Sequence, residues 1–192
     1  KPFQLGALQL STRVVMAPMT RSFSPGGVPS SSVIEYYRRR AAAGVGLIIT
    51  EGTVVGHQAS NGYPNVPHFY GEAALAGWKN VVDAVHAEGG KIVPQLWHVG
   101  SVRRIGTEPD ASVPAYGPME KLKDGNVVVH GMTKQDIKDV INAFAQAAKD
   151  AQAIGMDGVE IHGAHGYLVD QFFWEGSNQR TDEYGGSLAN RS

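Results

Sequence analysis

The chain contains no cysteine and no long hydrophobic run. Among its 192 residues there are 24 glycines but not one cysteine. Disulfides, thiolate metal sites and a cysteine nucleophile are therefore excluded. No apolar stretch approaches the roughly 20 residues that a membrane-spanning helix needs. We expect neither a disulfide scaffold nor a membrane protein, and the composition favours a cytoplasmic location.

An excess of charge of one sign is also missing. Basic residues number 17 and acidic residues 18, which gives a formal net charge of −1. This balance provides no electrostatic reason to expect nucleic acid or an anionic membrane surface as a partner. With 42% hydrophobic and 18% charged residues, the composition indicates a folded globular chain with a substantial core.

Short apolar segments alternate with helical patterns along the chain. The apolar segments lie at residues 13–18, 47–50, 91–96 and 158–161. Continuous apolar strands are typical of a parallel sheet buried on both faces, and the alternation predicts an α/β fold. Long loops follow the strands, which favours a TIM (β/α)8 barrel with its site at the carboxyl ends of the strands. No Gly-x-Gly-x-x-Gly follows a strand, so a Rossmann fold is disfavoured.

The pattern accounts for half of a barrel. A complete barrel has eight strands, whereas this sequence supplies about the first four β/α units. We expect residues 1–192 to form a single domain, the N-terminal half of a barrel, with an excursion hairpin around residues 112–130. Its first and fourth strands would be unpaired edges. An omitted second half, a companion chain or self-association is expected to close the sheet.

The most informative segment is His162-Gly163-Ala164-His165-Gly166-Tyr167. It directly follows a predicted strand, so two imidazoles and a phenol emerge at one strand end. Two hydrogen-bond donors beside a weak acid can bind an oxyanion and deliver a proton. A plainer interpretation makes either histidine a core residue.

A metal site is an alternative for the same segment. Glu160 shares the inward-facing parity with His162 on the predicted strand. Together with His165, these residues include the donor types that zinc or manganese binds. The spacing differs from the helical arrangement of a metalloprotease, which weighs against this interpretation.

Polar or small residues also lie at the ends of the other predicted strands. Thr20 leaves the first strand, Gly52 follows the second, and Gln95 shares one face of the third with Trp97. An amide both donates and accepts, which suits the edge of a heterocycle, and a glycine lets a ligand approach the backbone. The plainer alternatives are a loop hydroxyl, a simple turn and a glutamine satisfied by backbone groups.

Six segments in order closely resemble the Old Yellow Enzyme family of flavin-dependent ene-reductases. They are Met16-Ala17-Pro18-Met19-Thr20-Arg21, Glu35-Tyr36-Tyr37, Ile49-Thr50-Glu51-Gly52, Gln95-Leu96-Trp97-His98, His162-Gly163-Ala164-His165-Gly166-Tyr167-Leu168 and residues 178–187. Each segment alone is modest evidence, but the ordered set is specific. The chain matches the N-terminal half of the family's usual length.

The resemblance implies a barrel with non-covalent FMN at its carboxyl-end mouth and assigns roles to individual residues. The positions matching flavin contacts are Ala17, Pro18, Thr20, Gly52, Gln95 and His162. His162 and His165 match the pair that binds the electron-withdrawing oxygen of the substrate, and Tyr167 matches the proton donor. Tyr63 and Trp97 match residues that shape the substrate pocket. Ser101 stands where many relatives carry arginine.

The implied activity is the reduction of activated C=C bonds, with NADH or NADPH reducing FMN. The implied substrate is a small activated alkene, such as an α,β-unsaturated carbonyl or a nitroalkene, with nitro compounds and nitrate esters as further candidates. The family's phosphate-binding residues lie in the half beyond this chain, so we expect the chain alone to bind FMN poorly and to need a second chain. Two competing hypotheses are a metal-dependent TIM-barrel hydrolase or lyase using His162 and His165, and a non-catalytic half-barrel.

Overall fold

The computed structural model describes residues 1–192, apart from the side chain of Leu5. The chain divides into two compact units. Unit 1 comprises Lys1–Gly56, Asn65–Trp97 and Phe144–Ile161, and unit 2 comprises His57–Pro64, His98–Ala143 and His162–Ser192. That residues 1–192 act as a single domain stays a prediction.

Strands and helices alternate through most of the chain. The strands are β1 (Phe3–Leu5), β2 (Leu8–Leu10), β3 (Val15–Met16), β4 (Leu47–Val54), β5 (Lys91–Trp97), β6 (Ala115–Gly117), β7 (Lys121–Lys123), β8 (Asn126–Gly131) and β9 (Glu160–Ile161). The helices are α1 (Ser31–Ala42), α2 (Glu72–Ala87), α3 (Lys134–Ala153), α4 (Leu168–Phe173) and α5 (Leu188–Arg191). This order confirms the predicted α/β class.

A four-stranded parallel sheet in the order β3-β4-β5-β9 forms the centre of unit 1. The predicted parallel sheet is therefore confirmed. Its register pairs Gly52 with Gln95, and Gln95 in turn with Glu160. Since all four strands run in the same direction, their carboxyl ends lie at the same end of the sheet. Residues from three separate parts of the sequence thus form one row there.

Strand β4 is longer than its apolar run predicts. It continues to Val54 instead of ending near Thr50, so the expectation that Gly52 follows the strand is wrong, and this glycine lies inside it. The reason is that Thr50, Glu51 and Thr53 are polar but completely buried. A prediction from continuous hydrophobicity stops at such residues, although their hydrogen-bond partners allow the strand to continue.

The two edge strands of this sheet carry exposed apolar side chains. Beside and within β3, Val14 and Val15 are 57% and 48% exposed, and at β9 Val159 and Ile161 are 42% and 55% exposed. A parallel sheet normally has both faces and its edges covered. In unit 1 the sheet therefore ends in uncovered apolar edges, as expected for an open part of a barrel.

A buried carboxylate joins α1, β4 and the segment that follows β3. Glu51 Oε1 lies 3.1 Å from Nη2 of Arg21 and accepts a hydrogen bond from the Tyr37 hydroxyl at 3.2 Å. The Arg21 guanidinium also lies 3.4 Å from the ring centroid of Tyr36. A buried carboxylate is tolerated only when it is paired and hydrogen-bonded in this way. The network fixes residues 17–21 beside β4.

Unit 2 contains a three-stranded sheet in the order β6-β8-β7. Strands β7 and β8 form an antiparallel hairpin, which turns at Asp124 and Gly125, both with positive φ. Thr133 and Asp136 exchange side-chain-to-backbone hydrogen bonds at 2.7 and 3.1 Å, which form a capping box at the start of α3. None of the described helices is long and apolar enough to cross a lipid bilayer.

We predict that Asp157 makes unit 1 sensitive to acid. Its carboxylate accepts hydrogen bonds from His86 Nε2 at 2.8 Å and the Ile92 N–H at 2.9 Å, and it pairs with Lys91. Burial by itself would raise the pKa of Asp157, but these contacts outweigh burial and lower it. The carboxylate therefore stabilises the fold above its unfolded pKa of about 3.9, and this contribution disappears as the pH falls through the lower folded value.

The expected result is that Asp157→Asn lowers the free energy of unfolding at neutral pH by about 1–2 kcal/mol. The variant should also lose less stability than the parent chain between about pH 5 and pH 3. Urea unfolding across this range measures both effects. Asp83→Asn, which removes an exposed partner of Lys79, serves as the control. Equal pH profiles for the parent and Asp157→Asn would contradict the prediction.

Candidate active site

Gly52, Gln95 and Glu160 lie side by side on three parallel strands of unit 1. Gln95 is only 8% exposed, and its side-chain Nε2 donates to Glu160 Oε1 at 2.7 Å. Its backbone N–H donates to the Thr50 hydroxyl at 3.1 Å. The side-chain amide of Gln95 is thus held by a carboxylate, and its backbone is held by the Thr50 hydroxyl.

Gly52 is required by the neighbouring indole ring. A Cβ atom at this position would lie 2.6 Å from Cε3 of Trp97, which is closer than any real side chain tolerates. Trp97 itself is 2% exposed. The sequence suggested that Gly52 serves a ligand or a turn, whereas the structure supplies a packing reason. The pocket-shaping role of Trp97 stays a prediction.

The segment that follows β3 is open to solvent. Ala17 and Thr20 are exposed, Pro18 is half-buried, and Met19 is 65% exposed. Its position is nevertheless fixed, because the Arg21 N–H donates to the buried Glu51 carboxylate at 3.4 Å. Unit 1 therefore presents a hydroxyl and apolar groups on a fixed segment beside β4.

In unit 2 the structure brings four of the predicted site residues together. The ring centroids of His162 and His165 are 5.3 Å apart, and those of His162 and Tyr167 are 4.9 Å apart, both in edge-to-face geometry. The hydroxyls of Tyr63 and Tyr167 lie 3.0 Å from each other. Two imidazoles and two phenols therefore form one continuous cluster.

The backbone turn under this cluster is strained. His165 has a φ of +61°, followed by Gly166 with a φ of +73°, and a side chain other than glycine is uncommon in this left-handed region. The Gly166 N–H donates to Asp170 Oδ2 at 2.7 Å, and the Gly166 carbonyl accepts from Gln171 Nε2 at 2.6 Å. These two side chains from α4 hold the turn in place.

Sequence reasoning missed the contribution of α4. Gln171 is 5% exposed, and its Oε1 also accepts from the Ser101 N–H at 3.0 Å. One signal was available for Asp170, since an acidic residue in the first turn of a helix is a common stabilising feature. Nothing local in the sequence distinguishes Gln171 from a surface glutamine.

The electrostatics of the cluster favour hydrogen-bond donation. His162 Nδ1 accepts the Ala164 N–H at 3.4 Å, which places the proton of a neutral imidazole on Nε2. Burial, followed by the hydroxyl of Tyr63, raises the pKa of Tyr167 to about 12. The Tyr167 phenol is therefore protonated at neutral pH and can act as a proton source.

The metal alternative gains no support from this geometry. Glu160, its proposed carboxylate ligand, is hydrogen-bonded to Gln95 instead. Among the residues that the structure describes, no group of three or more His, Cys, Asp or Glu side chains is arranged to hold a metal ion. The His162 ring contacts the rings of both His165 and Tyr167 instead.

Known proteins are similar to this chain in both sequence and fold. Residues 1–192 match the sequence model of the NADH:flavin oxidoreductase / NADH oxidase family. The chain belongs to this family. The predicted resemblance to the Old Yellow Enzymes is confirmed, and FMN and a nicotinamide nucleotide are the cofactors that the membership indicates.

Curated plant relatives show how much of such a protein is present. The chain is 43% identical to 12-oxophytodienoate reductase 7 of Oryza sativa subsp. japonica, and the match covers 99% of this chain and 51% of that protein. It is also 43% identical to 12-oxophytodienoate reductase 2 of Arabidopsis thaliana, over 99% of this chain and 53% of that protein. The chain thus spans about half the length of these relatives.

A match to a solved structure also covers this chain completely but only about half of the known protein. Morphinone reductase in complex with tetrahydroNAD superposes with a TM-score of 0.90 and 40% identity, over 100% of this chain and 56% of that one. The fold is therefore part of a barrel of the Old Yellow Enzyme type. This agrees with the uncovered sheet edges of unit 1.

We predict that Gln171 stabilises the strained turn. Gln171→Met keeps the side-chain volume but removes the two hydrogen bonds that Gln171 makes to the Gly166 carbonyl and the Ser101 N–H. At about 1 kcal/mol for each bond, the loss is expected to cost about 2 kcal/mol of unfolding free energy. Gln146→Met, which changes an exposed glutamine on α3, is the matched control. Urea unfolding compares the two variants, and equal stabilities would show that Gln171 does not hold the turn.

Proposed function

We propose that the chain is the N-terminal half of an FMN-dependent oxidoreductase that uses NADH or NADPH to reduce activated C=C bonds. The observation that carries the proposal is the cluster of His162, His165 and Tyr167, which joins two imidazoles to a protonated phenol. The family membership and the reductase names of the relatives support it. α,β-Unsaturated carbonyls and nitroalkenes are the proposed substrates, with nitro compounds and nitrate esters as further candidates.

Unit 1 carries groups that fit the isoalloxazine ring. The Gln95 amide, buried and held at the strand end, offers a donor and an acceptor for the pyrimidine edge. Thr20 would contribute its exposed hydroxyl to a ring carbonyl, and Ala17 and Pro18 would provide apolar contact. Gly52 on β4 and His162 are the remaining proposed flavin contacts. When bound, FMN supplies the hydride and the nicotinamide nucleotide restores it.

Unit 2 carries the groups proposed to act on the substrate. His162 and His165 would donate hydrogen bonds to the carbonyl or nitro oxygen and stabilise the negative charge that develops there. Tyr167 would donate its proton to the α-carbon, and its high pKa keeps that proton available at neutral pH. Tyr63 and Trp97 are proposed to shape the substrate pocket.

We further propose that the chain supplies the first four β/α units of an eight-stranded barrel. The exposed edges β3 and β9 and the coverage of about half of each relative support this. In barrels of this kind, phosphate binds at the loops after strands seven and eight. A second chain with the C-terminal half, or self-association, is therefore proposed to complete the site.

Tyr167→Phe tests the proton-donor role. Removal of the hydroxyl should slow alkene reduction by about 100-fold, the lower part of the usual range for general acid catalysis. Reduction of bound FMN by NAD(P)H should continue at a similar rate, because it does not use this proton. Rapid-mixing absorbance of the FMN-loaded complete barrel, in which this chain is joined by the C-terminal half, measures both half-reactions.

The control is Tyr70→Phe, which alters a tyrosine stacked on His68 at a centroid distance of 4.7 Å and outside the proposed site. This variant should retain both rates. Unchanged alkene reduction in Tyr167→Phe would eliminate Tyr167 as the proposed proton donor. A complete absence of alkene reduction in the unmutated complete barrel would favour the non-catalytic half-barrel.

FMN retention tests the incomplete barrel. The chain on its own should lose FMN during gel filtration, because the proposed phosphate site lies outside it. Addition of the C-terminal half should restore flavin absorbance at 450 nm or nearby, on the order of one FMN per complex. Stoichiometric FMN on a monomer of this chain alone would contradict the prediction.

A further inference from the structure

A carboxylate holds the Gln95 amide, which is proposed to contact the flavin. Gln95 Nε2 donates to Glu160 Oε1 at 2.7 Å, and the two residues are direct partners in the parallel register of β5 and β9. A hydrogen bond to an ionised acceptor is about twice as strong as one between neutral groups. This contact is therefore strong enough to fix the orientation of the Gln95 amide.

The identity of the partner decides which way the amide points. The carbonyl oxygen and the NH2 group of glutamine have nearly the same shape but opposite hydrogen-bonding roles. A carboxylate only accepts, so Glu160 selects the orientation in which NH2 faces it. The Gln95 carbonyl oxygen is then directed away from Glu160. A neutral amide at position 160 would accept either orientation.

The backbone of Gln95 is fixed by other groups. Its N–H donates to Thr50 Oγ1 at 3.1 Å, and that hydroxyl donates to the Glu51 carbonyl at 2.8 Å. Both contacts belong to β4 and β5 and do not involve Glu160. A change at residue 160 therefore acts on the Gln95 side chain without removing the contacts that place its strand.

We propose that Glu160 is a positioning residue that orients the Gln95 amide for the pyrimidine edge of FMN, an inference that rests on the proposed function. That edge presents a ring N–H flanked by two carbonyl groups. With one amide hydrogen committed to Glu160, the Gln95 carbonyl would be available to accept from the ring N–H, and the second amide hydrogen would be available to a ring carbonyl. The negative charge of Glu160 would also disfavour the electron-rich reduced flavin.

Two variants separate orientation from charge. Glu160→Gln keeps an acceptor but removes the charge and the preference for one amide orientation. Glu160→Leu removes the hydrogen bond altogether. We expect FMN to dissociate about threefold more readily from Glu160→Gln and about tenfold more readily from Glu160→Leu, as the loss of one charge-assisted hydrogen bond predicts. The reduction potential of bound FMN should become more positive in both.

The experiment uses the complete FMN-loaded barrel, stripped of FMN and titrated with FMN while flavin fluorescence is followed. Equilibration with a reference dye gives the reduction potential. Glu183→Gln is the matched control, because it removes the charge of an exposed glutamate paired with Lys134. It should leave both the affinity for FMN and the potential unchanged.

The outcomes distinguish the inference from the proposed function. If the parent protein binds FMN and reduces alkenes while both Glu160 variants match it in affinity and potential, Glu160 has no positioning role. If the parent complete barrel binds no FMN, the proposed function fails and the inference fails with it. Weaker FMN binding and a more positive potential in both variants, with Glu183→Gln unchanged, would establish the positioning role.

Discussion

The candidate flavin site depends on the parallel register of β4, β5 and β9. Because these strands run in the same direction, their carboxyl ends meet, and Gly52, Gln95 and Glu160 become direct neighbours although they are far apart in sequence. A slip of one residue would turn each side chain to the opposite face of the sheet. The buried network of Glu51 and Arg21 adds the segment after β3 to this row.

In unit 2, His165 of the histidine and tyrosine cluster lies on a turn and not on a strand. His165 and Gly166 both adopt left-handed backbone angles, and the side chains of Asp170 and Gln171 secure that conformation from the following helix. These hydrogen bonds to the Gly166 N–H and carbonyl stabilise the strained conformation. The side chains proposed as donors are thus held by the fold itself, and fixed donors are the condition for electrostatic stabilisation of a developing charge.

Much of the fold and of the site could be predicted because the signals are local. Continuous apolar segments separated by helical periods predicted the parallel sheet. The segment from His162 to Tyr167 stood out because its residue types seldom occur together by chance. The full length of β4 escaped prediction, since Thr50, Glu51 and Thr53 are polar yet find partners only after the chain has folded.

The amino-acid sequence alone was enough to indicate the family, the α/β class and the residue types available for chemistry. It did so because periodicity and motif order are properties of the chain before it folds. The folded structure adds contacts that the sequence does not show: Glu160 binds Gln95, Gly52 makes room for Trp97, and Gln171 supports the turn at Gly166. Each of these contacts joins residues from different elements, and strand register and helix packing select it from many possible partners.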